Sequence, residues 1–216
     1  MRSSAASDVY KRQVVDSEPG SYLYCGLSRD ASKEEILERI NNNTITDILN
    51  KIEVKAGDVV MVKAGTIHAI GAGVFICEIQ QNSNCTYRMY DYDRRDKFGN
   101  PRELHVKKAL DVVDNHKYIK DNKTEVVIAR NEHFTEERLV QCKYFEVYKY
   151  DVNDEAKITV DEASFVSVLF INGSGTIETD DYEKTMEFKA GDSFFVSAGL
   201  RSIIVKGRAT MVVTRV

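Results

Sequence analysis

Proline and cysteine are scarce: two prolines and four cysteines in 216 residues. Cys25, Cys77, Cys85 and Cys142 show no CxxC spacing and are too few and too irregular for a disulfide scaffold in a chain this long. They read as free thiols of a reducing cytoplasm rather than as a zinc-thiolate site. Positive charge is not in excess either. Lys and Arg number 30 against 34 Asp and Glu, a net charge of −4, which argues against nucleic-acid or membrane-surface binding. No apolar run reaches the ~18–20 residues that span a bilayer. The longest, "AIGAGVFIC" at 69–77, suits a buried strand.

What is present suffices for one or two domains with a real core, since 43% of residues are hydrophobic. Residues 1–13, "MRSSAASDVYKRQ", are small, polar and charged, without the pattern of a secretory signal. Strand-like text then starts abruptly at Val14, so this leader reads as a non-native cloning or assembly remnant. "SYLYCGL" at 21–27 predicts a strand, and "SKEEILERI" a helix with Ser32 as N-cap, Glu35 completing a capping box, and an apolar stripe of Ile36, Leu37 and Ile40. A second short helix is expected over "ITDILNKI", strands at "VVMV", "TIHAI", "VFICEIQ" and "CTYRMY", and a loop over 91–104. "ELHVKKALDVVD" predicts a helix with Leu104, Ala109 and Val112 near one face. A charged linker at 114–123 precedes a block of short β-branched and aromatic strands, the pattern of a sandwich or barrel.

Two stretches nearly repeat each other: "VKAGDVVMVKAGTIHAIG" at 54–71 and "FKAGDSFFVSAGLRSIIV" at 188–205. Gly57 falls on Gly191, Asp58 on Asp192, Val62 on Val196 and Gly65 on Gly199. The match breaks chemically where His68 meets Ser202. Each copy reads as a tight turn, an apolar strand, and a glycine pivot into another strand, so the halves read as two copies of one β-barrel. His68, between alternating apolar neighbours, is either a satisfied core residue or a metal ligand. Its absence from the second copy favours the ligand. Just downstream stand Glu78, Gln80, Gln81 and Arg88. Glu78 and Arg88 can both face inward from neighbouring antiparallel strands, or form an ordinary ion pair. The mild basic excess between Arg88 and Lys108 can attract a phosphate.

Gly57, Gly65 and His68 resemble the second sequence motif of the cupin family, a small jelly roll, with Lys63 and Ala72 where that family usually has proline and asparagine. The longer text "KAGTIHAIGAGVFICEIQQNSNCTYRMYDYDR", followed by "RELH", is similar to the short bacterial form of type I mannose-6-phosphate isomerase, a zinc-dependent bicupin. The resemblance runs from Val14 to Val216. It implies an all-β chain of two cupin jelly-roll barrels with a small helical insertion: residues 14–113 forming an incomplete catalytic barrel, and 124–216 a second barrel without metal. It implies zinc as cofactor with His68 as a ligand, Arg88 as the active-site arginine, and Glu78 in substrate handling or proton transfer. The implied substrate is a sugar phosphate, with no nucleic-acid or membrane partner. His105, His116 and His133 match no family ligand.

The family's other zinc ligands, in an upstream Gln-x-His-Pro-x-Asp motif and a glutamate after it, have no counterpart here. The expectation is therefore that the parent interconverts mannose 6-phosphate and fructose 6-phosphate, while this chain is an inactive fragment. The alternative is a non-catalytic bicupin that binds a sugar or sugar phosphate.

Overall fold

A computed structural model of the protein describes residues 2–4, 10–81, 86–92, 94–120, 126–179 and 185–216. The chain divides into two compact units, residues 1–120 and 121–216. Both are built chiefly of antiparallel strands, and a small helical insertion sits in the first.

In the first unit, β1 (Arg2–Ser4), β2 (Tyr10–Ser17) and β3 (Tyr22–Leu27) precede helix α1 (Lys33–Asn41). The Ser32 side chain accepts from the Glu35 amide at 3.1 Å, and Ile36 and Ile40 face the core. The Glu35 carboxylate turns instead to Arg29 and Arg39. The second expected helix is only a 3-10 turn at Ile45–Ile48, and Leu49–Glu53 already forms strand β4. Strands β5 (Val59–Val62), β6 (Ile67–Ile70), β7 (Val74–Gln80) and β8 (Thr86–Arg88) follow, then helix α2 (Val106–Val112). That helix is shorter than its sequence pattern predicts. It buries Ala109, with Val113 just beyond it, and leaves Leu104 exposed. Residues 114–118 pack onto the unit: the Tyr118 amide donates to Leu27, its hydroxyl to the Met61 carbonyl, and the Asn115 amide to Ala31.

The second unit holds β9 (Val126–Arg130), β10 (Phe134–Gln141), β11 (Glu146–Val152), β12 (Glu155–Val160), β13 (Val166–Thr179), β14 (Met186–Lys189), β15 (Ser193–Val196) and β16 (Arg201–Arg215). Its core gathers alternate residues of these strands, with Phe170 stacked on Phe188 at 3.6 Å between ring centroids. Burying side chains of this size contributes roughly 1.5–3 kcal/mol each.

The strand order corrects the expectation of two barrels. In the first unit one sheet runs β4-β3-β6-β1-β8 and another β5-β2-β7; in the second the path is β14-β13-β16-β11-β10-β9, with β12 and β15 alongside β16 and β13. Among the described residues none of these paths closes on itself. Closure would require β9 to pair with β14, or β4 with β8, and each remains an edge. Alternation of apolar residues fixes which face of a strand is buried but not which edges meet.

The repeat is reproduced in detail. Gly57 and Gly191 have φ of 95° and 91°, Gly65 and Gly199 of 77° and 80°, all in the left-handed region open to glycine. In each copy the aspartate carboxylate accepts from the amide three residues back at 2.9 Å (Asp58 from Lys55, Asp192 from Lys189).

Candidate functional site

The second glycine pivot of the first copy delivers the chain into β6, where Ile67 and His68 are both buried. The ring is 3% exposed, and Nδ1 lies 3.0 Å from the Thr66 carbonyl oxygen. A carbonyl can only accept, so in the neutral ring Nδ1 carries the hydrogen and Nε2 is the basic nitrogen. The equivalent Ser202 is buried too, at 2%, so the position is a core one in both copies and only its chemistry differs.

A cavity of about 280 Å³ opens beside His68, lined also by Ile70, Ile76, Glu78, Tyr92, Arg94 and Arg12. Glu78 comes from β7. Its carboxylate is ion-paired with Arg12, directly across the β2–β7 ladder and within the leader set apart by sequence. Tyr92 and Arg94 come from the turn after β8. Tyr92 holds a left-handed backbone at φ 56°, uncommon for a bulky residue. Burial, then the neighbouring Tyr24, Tyr22 and Tyr90, push its hydroxyl up to about 12. Arg94 donates to Asp91 at 2.8 Å, and Arg102 Nε donates to the other Asp91 oxygen at 2.6 Å. The Arg102 hydrogen bond, reinforced by Arg94, lowers the buried Asp91 carboxyl to about 2.

Arg88 does not line this cavity. It ends β8, its amide donates to His105 Nδ1 at 3.2 Å, and its guanidinium donates to the Glu103 carbonyl at 3.1 Å. Yet His68 and Arg88 both stand opposite Arg2 of β1, so they share a level and a face of the sheet two strands apart, about 10 Å at the backbone. Of the three residues that sequence reasoning singled out, His68, Glu78 and Arg88, the first two line one cavity and Arg88 does not; Tyr92 and Arg94, which line it too, were not singled out. Those two lie in the same "YDYDR" text that drew attention to Arg88.

The zinc expectation does not survive this geometry. Among the described residues no group of three His, Cys, Asp or Glu side chains could hold a metal ion. A catalytic zinc takes three protein ligands, and the Glu78 carboxylate, the one lining this cavity among the described residues, is paired with a guanidinium. Cys25, directly opposite His68 across the β3–β6 ladder, is no substitute, because burial raises its thiol to about 11 and disfavours the thiolate. Two arginines among the lining side chains favour an anion over a dication. Cys85 lies outside the described residues. Among the described residues, no helix is long and apolar enough to cross a membrane.

The model of the mannose-6-phosphate isomerase cupin domain matches residues 135–216. The YvyI protein of Bacillus subtilis strain 168 is 40% identical over 208 residues, 94% of this chain and 62% of its own length. Mannose-6-phosphate isomerase ManA of the same strain is 33% identical over 211 residues, again 62% of its length. A crystal structure of the Bacillus subtilis mannose 6-phosphate isomerase superposes with a TM-score of 0.87 at 33% identity, covering 97% of this chain and 65% of that one. The chain thus spans about three-fifths of the curated relatives it matches. Along nearly all its residues the chain is similar in sequence and in fold to mannose-6-phosphate isomerases, a family-level match that covers only part of each of these larger proteins.

Proposed function

We propose that the chain carries the substrate cavity of an aldose–ketose isomerase acting on mannose 6-phosphate and fructose 6-phosphate. The observation that carries this reading is the gathering of His68, Glu78 and Arg94 around one cavity. Arg94, whose side chain is 63% exposed at the rim, holds the phosphate. The Glu78 carboxylate takes the proton from C2 of the aldose and returns it to C1, while the hydroxyl proton passes from O2 to O1. Arg88 lies outside the cavity, with its guanidinium on the Glu103 carbonyl, and takes no part in this reading. Arg12 competes for Glu78 and is not part of the machinery.

A second reading, binding of a sugar phosphate without turnover, is favoured by the Arg12–Glu78 ion pair, because a paired carboxylate is a poor base. One set of measurements separates the two. Mannose 6-phosphate binding is followed by calorimetry and its interconversion by a coupled assay, for the chain itself and for Arg12→Ala, Glu78→Gln and Arg94→Ala. The isomerase reading expects Arg12→Ala to raise turnover, Glu78→Gln to abolish it with binding retained, and Arg94→Ala to weaken binding. Binding without turnover in Arg12→Ala establishes the second reading. Binding indifferent to Arg94 overturns both.

A further inference from the structure

The cavity beside His68 has two ends of different character. β6 and β7 are joined by a turn at 72–73, with Gly73 at φ 71°. Ile70 and Ile76 stand at equal spacing on either side of that glycine, and His68 and Glu78 stand two positions further out along the same strands. Alternate residues of a strand share a face, so each isoleucine lies one step along from the polar group on its own face. The cavity is therefore apolar toward the turn and polar away from it. Ile70 is 43% exposed, so the apolar end is open rather than packed.

Tyr92 adds an aromatic ring to that lining, at a backbone cost. Its φ of 56° lies in the left-handed region, which a turn ordinarily fills with glycine or asparagine, as Asn43 does at φ 57° after α1. Core packing does not impose this, because the residue is 45% exposed. Tyr90 supports the ring, 5.0 Å away between centroids and tilted by 58°. Partial burial and the neighbouring tyrosines push the Tyr92 hydroxyl up to about 12, so it stays neutral at pH 7 and does not repel an anion bound beside it. An aromatic face is negative and attracts the polarised C–H bonds that line one face of a hexopyranose. An open-chain phosphate offers no such face. A strained, half-exposed ring in a small cavity with one apolar end is thus arranged for a closed sugar ring.

Resting on the sugar-phosphate reading of this cavity, we propose that Tyr92 sets its specificity for the closed-ring form of a hexose phosphate, with the tyrosine ring packed against the sugar face that carries H3 and H5. Calorimetry of the full chain with mannose 6-phosphate and with glycerol 3-phosphate, which has the phosphate but no ring, is the test. The parent should bind mannose 6-phosphate ~10-fold or more tightly than glycerol 3-phosphate. Tyr92→Asn keeps a residue suited to the left-handed backbone. It should lose ~10-fold in mannose 6-phosphate affinity, the scale of one aromatic contact, and leave glycerol 3-phosphate affinity within ~2-fold. Tyr92→Phe should match the parent. Should Tyr92→Asn fail to fold, saturation transfer from the aromatic protons of the parent decides instead: it should be strongest at H3 and H5 of mannose 6-phosphate and weaker at H4, on the other face. No mannose 6-phosphate binding by the parent would overturn the sugar-phosphate reading and the role of Tyr92 with it. Binding that is equal for glycerol 3-phosphate, unchanged in Tyr92→Asn, lost in Tyr92→Phe, or without preference for H3 and H5 would leave that reading standing and overturn the role of Tyr92 alone.

Discussion

Asp91 ties the turn that carries Tyr92 and Arg94 to Arg102, so the wall of the His68 cavity rests on one buried carboxylate. An acid held below its unfolded value of about 3.9 stabilises the fold above that value, and the contribution is lost as pH falls through the folded value, here about 2. Asp91→Asn should therefore be less stable than the parent at pH 7, with the gap closing between pH 4 and pH 2. Paired urea unfolding curves across that range check this. Half-exposed Arg102 and largely exposed Arg94 make the effect weaker in high salt. A gap that persists unchanged at pH 2 would place the stabilisation elsewhere. The two pivot glycines offer a matched pair. At Gly65 an added Cβ would sit 2.7 Å from the Val112 carbonyl, whereas at Gly199 it meets nothing within 4 Å. Both alanine variants incur the left-handed backbone penalty of ~1–2 kcal/mol, but only Gly65→Ala adds a backbone clash. Urea midpoints should fall further for Gly65→Ala; equal midpoints would mean that the end of α2 yields without cost.

At the level of elements, α1 depends on its cap. Ser32→Ala should lower stability by ~0.5–2 kcal/mol, read from urea unfolding, because the Glu35 amide loses its acceptor. A loss below a few tenths would show that water replaces the hydroxyl. This helix was legible because cap, first turn and apolar stripe are all local signals. The 3-10 turn at Ile45–Ile48 shows where locality fails: its sequence continues helically, but Leu49 to Glu53 gain more by pairing with β3. The repeat was legible to the level of its turn angles, since glycine and aspartate at fixed spacing encode backbone geometry directly. Open sheets in place of barrels were not, because edge pairing is decided by contacts far apart in sequence. Arg88 and Arg94 illustrate the same limit within one site. They stand six positions apart, and which of the two reaches the His68 cavity depends on where β8 ends and on a left-handed Tyr92.

Across the whole molecule, the two units differ in what holds them. The first has two small core clusters, one around Ile36, Ile67 and Ala109 and one around Val14, Leu23 and Val62. The second has one larger core with β16 at its centre, since β16 pairs with β11, β12 and β13. Deleting residues 207–216 should therefore abolish the folded amide signals of the second unit and leave those of residues 10–120 in place. Loss of both sets would show that the units fold only together. The central position of β16 also sets an order in time. A chain emerging from the ribosome can complete every strand pairing described in the first unit once residue 120 is available. The second must wait until Arg215 has been made, because three earlier strands lack their common partner until then. During that interval β11 and β13 carry apolar faces and unsatisfied edges into the cell, which is where a chaperone would find its substrate.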